Sequence, residues 1–167
     1  MFLSRNISIF KSTVLSLNSS GYSFLFIFHL SENNHSYLRY WIQHVDSLGV
    51  ISIPYSELKN VAFSIEKLTK IYRPTLDEIP DTILDICKKN SEKKIVLVEI
   101  GGYSAQVAHL LNNVVLAVED TNQGHWNFES NAHKLSFPVV SMAQTHLKRL
   151  ENYLIGDSIV YSTQILL

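Results

Sequence analysis

The sequence predicts an α/β fold with one doubly wound, mainly parallel sheet and helices on both faces. Two observations lead to this prediction. Short apolar runs rich in β-branched residues alternate with segments of helical apolar spacing, which is the pattern of a parallel sheet covered by helices. The chain has 167 residues, of which 46% are hydrophobic, so it can bury one core. A single domain over residues 1–167 is therefore expected.

The first half of the chain alternates two strand-like runs with three helix-like segments. Gly49 is placed to end the first helix, because glycine is the common residue just after a helix. Ser56 is a candidate N-cap for the second helix. In chain order the pattern predicts a strand at 24–28, a helix at 36–49, a strand at 50–54, a helix at 56–72 and a helix at 75–90.

The second half predicts a strand at 94–102, a helix at 104–112, a strand at 114–118 and an irregular loop at 122–136. Right-handed crossovers then favour a sheet of the Rossmann or flavodoxin type. In such a sheet the carboxyl ends of the strands share one edge, so a common pocket is expected there. The polar residues that follow predicted strands are His29, residues 54–56, Glu99, residues 119–121 and residues 141–144.

Composition excludes several classes of function. The formal net charge is −1 and only 17% of residues are charged, so neither a nucleic-acid groove nor an anionic membrane surface is indicated. The longest apolar run, 24–28, is far shorter than the ~20 residues that span a bilayer. The seven histidines do not show the spacing of a zinc site, so no metal is expected.

The single cysteine, Cys87, excludes an internal disulfide framework and fits a reducing, cytoplasmic environment. Residues 1–20 contain no acid, are rich in serine and include Arg5 and Lys11, features that are also found in transit peptides. We favour the simpler interpretation, in which residues 1–20 are an amphipathic or frayed N-terminal segment of the domain.

Four short motifs follow one another between Phe24 and Gly156. They are FHLS at 28–31, EIGG at 99–102, EDTNQG at 119–124, and Lys148 with Gly156 eight residues later. In this order they resemble the substrate-binding domain of the S-adenosylhomocysteine hydrolases (adenosylhomocysteinases). That family also has a second domain that binds NAD. No G-x-G-x-x-G fingerprint occurs in this sequence, so no NAD-binding domain is expected within it.

The resemblance implies a role for each residue that matches a family motif. Lys148 corresponds to the family's base at the ribose 3′ hydroxyl. The sequence departs from the family at three acids, since Asn33, Ile100 and Asn152 stand in their places. The resemblance assigns Lys148, Asp120 and His29 to catalysis, Ser31, Asn33, Glu99 and Asn152 to substrate binding, and Thr121, Asn122 and Gln123 to the cofactor.

Each catalytic candidate also has a structural interpretation. His29 either contacts a ligand or is a partly buried histidine bonded to backbone. Glu119 and Asp120 are adjacent, so on a strand they point to opposite faces and at most one is catalytic. Asp120 and Thr121 fit an Asx-type turn equally well. Lys148 is either the base that the resemblance implies or a solvated surface lysine.

The leading functional hypothesis is an adenosylhomocysteinase-like domain that binds a nucleoside such as adenosine or S-adenosylhomocysteine. It is either half of a split, NAD-dependent thioether hydrolase whose NAD-binding subunit is a separate chain, or a degenerate homologue that acts as a protein-interaction module. A small independent enzyme is a third hypothesis. In every case the chain alone is expected to lack hydrolase activity.

The residues after Gly156 suggest a contact with another protein surface. They include Ile159, Val160, Ile165, Leu166 and Leu167, and only Asp157 carries a charge. This apolar tail either packs on its own sheet, or completes a homo-oligomer, or binds a separate NAD-binding chain.

Overall fold

The computed structural model describes residues 21–146 together with Lys148, Tyr153, Gly156, Asp157, Val160 and Tyr161; of Asn33, Asn34 and Ser56 only the backbone is described. Its centre is a six-stranded sheet in which every pair of neighbours is parallel. The strands are β1 (Tyr22–Phe28), β2 (Asp46–Ser52), β3 (Ile71–Tyr72), β4 (Lys94–Glu99), β5 (Val114–Glu119) and β6 (Val139–Ser141).

The strand order is β3-β2-β1-β4-β5-β6, which reverses its direction of growth between β1 and β4. This is the order of a Rossmann-like, doubly wound sheet, so the predicted fold class is confirmed. In such sheets the crevice at the carboxyl ends of the strands on either side of the reversal is the usual ligand site. The topology therefore predicts a ligand site at the carboxyl ends of β1 and β4.

Within residues 21–145, four α-helices cover the two faces: α1 (Glu32–His44), α2 (Lys59–Glu66), α3 (Ile79–Lys89) and α4 (Asn122–Ser130). Buried residues of α1 and α2 join one apolar cluster with Phe24, Phe26 and Val50. Buried residues of α3 and α4 join a second cluster with Leu25 and Ile27. Alternate residues of β1 thus belong to opposite faces, which is why its sequence is continuously apolar.

The first predicted helix boundary was wrong. Helix α1 begins at Glu32 and ends at His44, while Gly49 lies inside β2 with φ +133°. A Cβ on Gly49 would lie 2.8 Å from the carbonyl oxygen of Lys70, so this glycine permits close approach of the neighbouring backbone. Glycine is needed at this position because of packing between strands and not because a helix ends there.

The helix predicted at 56–72 is shorter in the structure, where α2 covers only Lys59–Glu66. Ile71 and Tyr72 instead pair with Val50 and Ile51 as the edge strand β3. Residues 104–112 also differ from prediction, since they form two short 3-10 helices, Tyr103–Gln106 and Ala108–Leu110. Across the described positions, no helix has the length and apolar character needed to cross a bilayer.

The central strand provides a direct test of the core. Leu97 in β4 is fully buried, and we expect Leu97→Ala to lower the free energy of unfolding by about 2–5 kcal/mol because it leaves a cavity. Leu110→Ala is the matched control, since Leu110 is 46% exposed. Urea unfolding followed by circular dichroism measures both variants. Equal losses in the two would contradict this description of the core.

Candidate functional site

A cavity of about 350 Å³ lies at the carboxyl edge of the sheet, where β1, β4 and β5 end. His29 follows β1, Gly101 follows β4 and Thr121 follows β5. The cavity thus occupies the reversal point of the strand order and extends toward the end of β5. Its lining residues are His29, Tyr55, Ile100, Gly101, Tyr103, Thr121, Gln123 and Asn127.

The carboxylate of Glu119 joins the turns that follow β4 and β5. Glu119 is fully buried, and its Oε1 accepts hydrogen bonds from the Thr121 backbone N–H (2.6 Å), the Thr121 hydroxyl (2.6 Å) and the Gly101 N–H (3.2 Å). Its Oε2 accepts one from the Gly102 N–H at 2.9 Å. One side chain therefore fixes two loops that line the cavity. We call Glu119 and its donors Gly101, Gly102 and Thr121 the Glu119 cradle.

Glycine is required at three positions around the Glu119 cradle. Gly101 and Gly102 have φ values of +99° and +64°, which L side chains rarely adopt. Gly124, in the first turn of α4, packs directly on the carboxylate, and a Cβ there would lie 2.0 Å from Cδ of Glu119. A Cβ on Gly102 would lie 2.6 Å from the Gly124 carbonyl oxygen. The buried acid and these glycines therefore form one close-packed unit.

Thr121 also starts helix α4. Its hydroxyl accepts a hydrogen bond from the Gly124 N–H at 3.1 Å, which is the normal N-cap interaction. The prediction of an irregular loop at 122–136 was therefore wrong. Residues such as Asn122, Gly124 and Asn127 are weak helix formers, so intrinsic preference did not reveal the helix.

A second buried acid, Glu99, lies at the end of β4. It accepts hydrogen bonds from the hydroxyl of Ser104 and from the Ser104 N–H, the latter at 3.2 Å. Burial, and to a smaller degree the negative charge of Glu119, raises the pKa of Glu99 to about 7. Burial also raises the pKa of Glu119, against the opposing effect of its hydrogen bonds. The base of the site thus carries two carboxyl groups that hold protons more strongly than usual.

Aromatic rings form one wall of the cavity. The rings of His29 and Tyr55 lie with their centroids 5.2 Å apart, and Tyr103 also lines the space. Burial lowers the pKa of His29, which favours the neutral imidazole near pH 7. Burial, followed by the proximity of Tyr55, raises the pKa of Tyr103, so its phenol stays protonated. This wall offers flat, uncharged surfaces to a ligand.

Amide side chains form a polar part of the lining. Asn127 on α4 donates to the Gly101 carbonyl oxygen at 2.7 Å, so it links the helix to the turn after β4. Gln123 donates to the Asn127 side-chain oxygen at 3.2 Å and is itself exposed. Together with Thr121 these groups present hydrogen-bonding atoms beside the aromatic wall.

Lys148 and Asp120 form an ion pair beyond the end of β5. The Lys148 Nζ lies 3.1 Å from Asp120 Oδ2, and the side chains are 17% and 51% exposed. The backbone N–H of Lys148 also donates to the Thr145 hydroxyl at 3.3 Å. Lys148 is therefore a largely buried lysine with a carboxylate partner.

The residues proposed from sequence differ in where they lie relative to the cavity. His29, Thr121 and Gln123 line the cavity, whereas Glu99 lies beneath it, fully buried. Ser31 is the N-cap residue of α1, and Asn122 accepts a hydrogen bond from Gln144 at 3.4 Å. Asn152 and the side chain of Asn33 lie outside the described residues.

Sequence reasoning missed Tyr55, Tyr103 and Asn127 as lining residues. Tyr55 was within a loop expected at the carboxyl edge, and Tyr103 directly follows the glycine pair after β4. Aromatic residues just beyond buried strands were thus the available signal. Asn127 could not be found in this way, because its position depends on the unpredicted helix α4.

Comparison with known proteins adds no assignment: no protein-family model matches the chain, and no curated protein matches its sequence. The site must therefore be interpreted from its own chemistry. Within residues 21–146 and the other described positions, no group of three or more His, Cys, Asp or Glu residues is arranged to hold a metal ion.

The turn after β1 does not fit NAD. Dinucleotide-binding domains with this strand order place glycines there, so that the pyrophosphate can approach the backbone and the first helix. Here the turn is His29, Leu30 and Ser31, and the Leu30 side chain is fully buried. The turn after β1 therefore lacks the glycines that such domains use to bind a pyrophosphate.

The close packing of Gly124 yields a prediction. Gly124→Ala places a methyl group against the Glu119 carboxylate, and we expect it to lower the free energy of unfolding by about 1–3 kcal/mol and to disturb the cavity. Gly156→Ala is the matched control, because nothing lies within 4 Å of a Cβ there and alanine favours helix. Thermal unfolding of both variants tests this, and equal stability would contradict it.

The raised pKa of Glu99 predicts a dependence of stability on pH. Between about pH 4.5 and about pH 7 the folded state keeps a proton that the unfolded state has lost, so the free energy of unfolding falls as pH rises. Glu99→Gln mimics the protonated acid and should flatten this slope. Glu92→Gln, at an exposed position, should leave it unchanged. Urea unfolding across this pH range measures the slopes, and identical slopes in all three proteins would refute the assignment.

Proposed function

We propose that the cavity binds a nucleoside of the adenosine or S-adenosylhomocysteine type, as in an adenosylhomocysteinase-like substrate domain. The main observation is the juxtaposition of an aromatic wall and an amide-lined wall at the reversal point of a Rossmann-like sheet. The volume of about 350 Å³ is within the usual range for small-molecule sites.

The two walls suit the two parts of a nucleoside. Flat uncharged rings from Tyr55 and Tyr103 can stack on a purine base. The side chains of Gln123 and Thr121 can exchange hydrogen bonds with base edges or ribose hydroxyls. No lining side chain is Lys or Arg, so a phosphorylated ligand is a poorer match than a neutral nucleoside.

Catalysis of the adenosylhomocysteinase type requires a second chain in this proposal. This domain supplies the nucleoside cavity, His29 and the Lys148–Asp120 pair, and a separate subunit supplies NAD. Thr121, Asn122 and Gln123 then face that subunit's cofactor, as the family resemblance implies. The buried thiol of Cys87, whose pKa burial raises to about 12, is consistent with the proposed cytoplasmic location.

The alternative is a non-catalytic homologue that acts as a protein-interaction module. One observation favours it: Tyr153, Val160 and Tyr161 are 75%, 58% and 66% exposed. Several exposed apolar side chains close in sequence can mark a contact surface. Sedimentation of the purified chain tests this proposal, because association that is lost in a Val160→Asp, Tyr161→Asp variant supports it and a strictly monomeric parent contradicts it.

The ligand proposal is tested by calorimetry with adenosine and S-adenosylhomocysteine. Tyr55 is 70% exposed, so Tyr55→Ala removes a stacking surface without opening the core, and we expect about tenfold weaker binding, or about 1.4 kcal/mol. Phe63→Ala is the matched control, an equally exposed aromatic on α2 outside the cavity. Absence of binding to the parent protein, or equal affinity in both variants, would count against the proposal.

A second prediction concerns activity. We expect the purified chain to release no homocysteine from S-adenosylhomocysteine even with added NAD, because the turn at His29, Leu30 and Ser31 lacks a pyrophosphate site. A thiol assay with Lys148→Ala as baseline measures this. Release above that baseline by the parent chain alone would show that no second subunit is needed.

A further inference from the structure

An apolar groove crosses the face of the sheet on which α1 and α2 pack. Its volume is about 320 Å³, and it is independent of the nucleoside cavity described above. The lining contains no charged side chain and comes from strands β1, β4 and β5 and from one residue of α1. The lining residues are Tyr22, Phe24, Trp41, Val96, Val98, Val115, Leu116 and Val118.

The path of the chain explains the groove. Right-handed crossovers from β1 to β2 and from β2 to β3 put α1 and α2 over one side of this face. After β3 the chain crosses back to β4 and then adds β5 and β6 in the other direction along the sheet. Helices α3 and α4 therefore cover the opposite face. In the described part of the chain, the helical residues that pack on the groove face come from α1 and α2 only. Val115, Leu116 and Val118 consequently keep part of their surface accessible.

The sequence of residues 1–20 predicts an amphipathic helix whose apolar side suits this groove. Leu3, Ile7, Phe10, Val14 and Leu17 are spaced by four, three, four and three positions, which places them in one stripe along a helix. In a helix, the opposite side would carry Arg5, Ser8, Ser12 and Ser16, with Ile9 and Leu15 at its two borders. An apolar stripe without acids matches a groove without charges.

The position of residues 1–20 in the chain and the length of the predicted helix also fit the groove. Tyr22, the first residue of β1, itself lines the groove, so the preceding chain starts at its rim. Gly21 has φ +72°, a conformation suited to a tight turn, and it follows Asn18, Ser19 and Ser20. A helix over residues 3–17 is about 22 Å long and a six-residue strand about 20 Å, so one helix can cover β4 and β5 lengthwise.

We propose that residues 1–20 contain an amphipathic helix whose stripe, from Leu3 to Leu17, packs in this groove and completes the sheet's cover. The short connection gives the segment a high effective concentration at the groove, which favours it over a second copy of the chain. The segment then packs as part of the folded domain. It also supports β4 and β5, whose ends carry Glu99 and Glu119.

Trp41 reports directly on the groove. The chain has two tryptophans, so Trp126→Phe leaves Trp41 as the sole emitter. In that background, the double substitution Ile7→Asp, Val14→Asp should shift Trp41 emission to the red and increase its quenching by acrylamide. The reason is that water enters the groove and reaches the Trp41 ring. Ser8→Asp with Ser12→Asp adds the same charge to the opposite side of the helix and should change neither signal.

Hydrogen exchange of the unmodified chain provides a second test that does not depend on a variant folding. Amides of residues 7–17 should exchange slowly, together with those of β4 and β5. Complete exchange of residues 7–17 at the earliest time would overturn the proposal, as would unchanged Trp41 signals in the Ile7→Asp, Val14→Asp variant. A parent dimer whose dissociation alone exposes Trp41 would also overturn it, because a second copy would then cover the groove.

Discussion

The site depends on one buried carboxylate. Glu119 ends β5 inside the protein, and the N–H groups of the β4 turn, together with the N–H and hydroxyl of Thr121, offset the cost of removing its charge from water. Those donors are available because Gly101 and Gly102 adopt left-handed backbone conformations. The first turn of helix α4 must then place a glycine, Gly124, against the acid.

The strands could be predicted from sequence because their signal is local. Runs such as 24–28 and 114–118 are apolar on both faces, and the structure places strands there. Helix α4 could not be predicted, because its start depends on Thr121 and on contact between Gly124 and an acid from the preceding strand. Edge strand β3 depends on a partner about twenty residues earlier, and the helix-like spacing of its own residues concealed it.

The structure separates residues that line the cavity from a residue that is buried next to it. His29, Thr121 and Gln123 border the cavity, whereas Glu99 is fully buried and accepts hydrogen bonds from Ser104. The ion pair of Lys148 and Asp120 lies outside the lining of the cavity, beyond the end of β5. The same geometry would also persist in a relative that had lost catalysis, because the cradle and the glycines are needed for folding whether or not chemistry occurs.

The two edges of the sheet have a consequence for behaviour at high concentration. Strand β3 has two residues and β6 has three, and Pro138, which has no N–H to donate, directly precedes β6. Short edges with few unpaired amides are poor templates for strands of a neighbouring molecule. Short edges of this kind therefore limit the recruitment of further strands to a strongly apolar sheet.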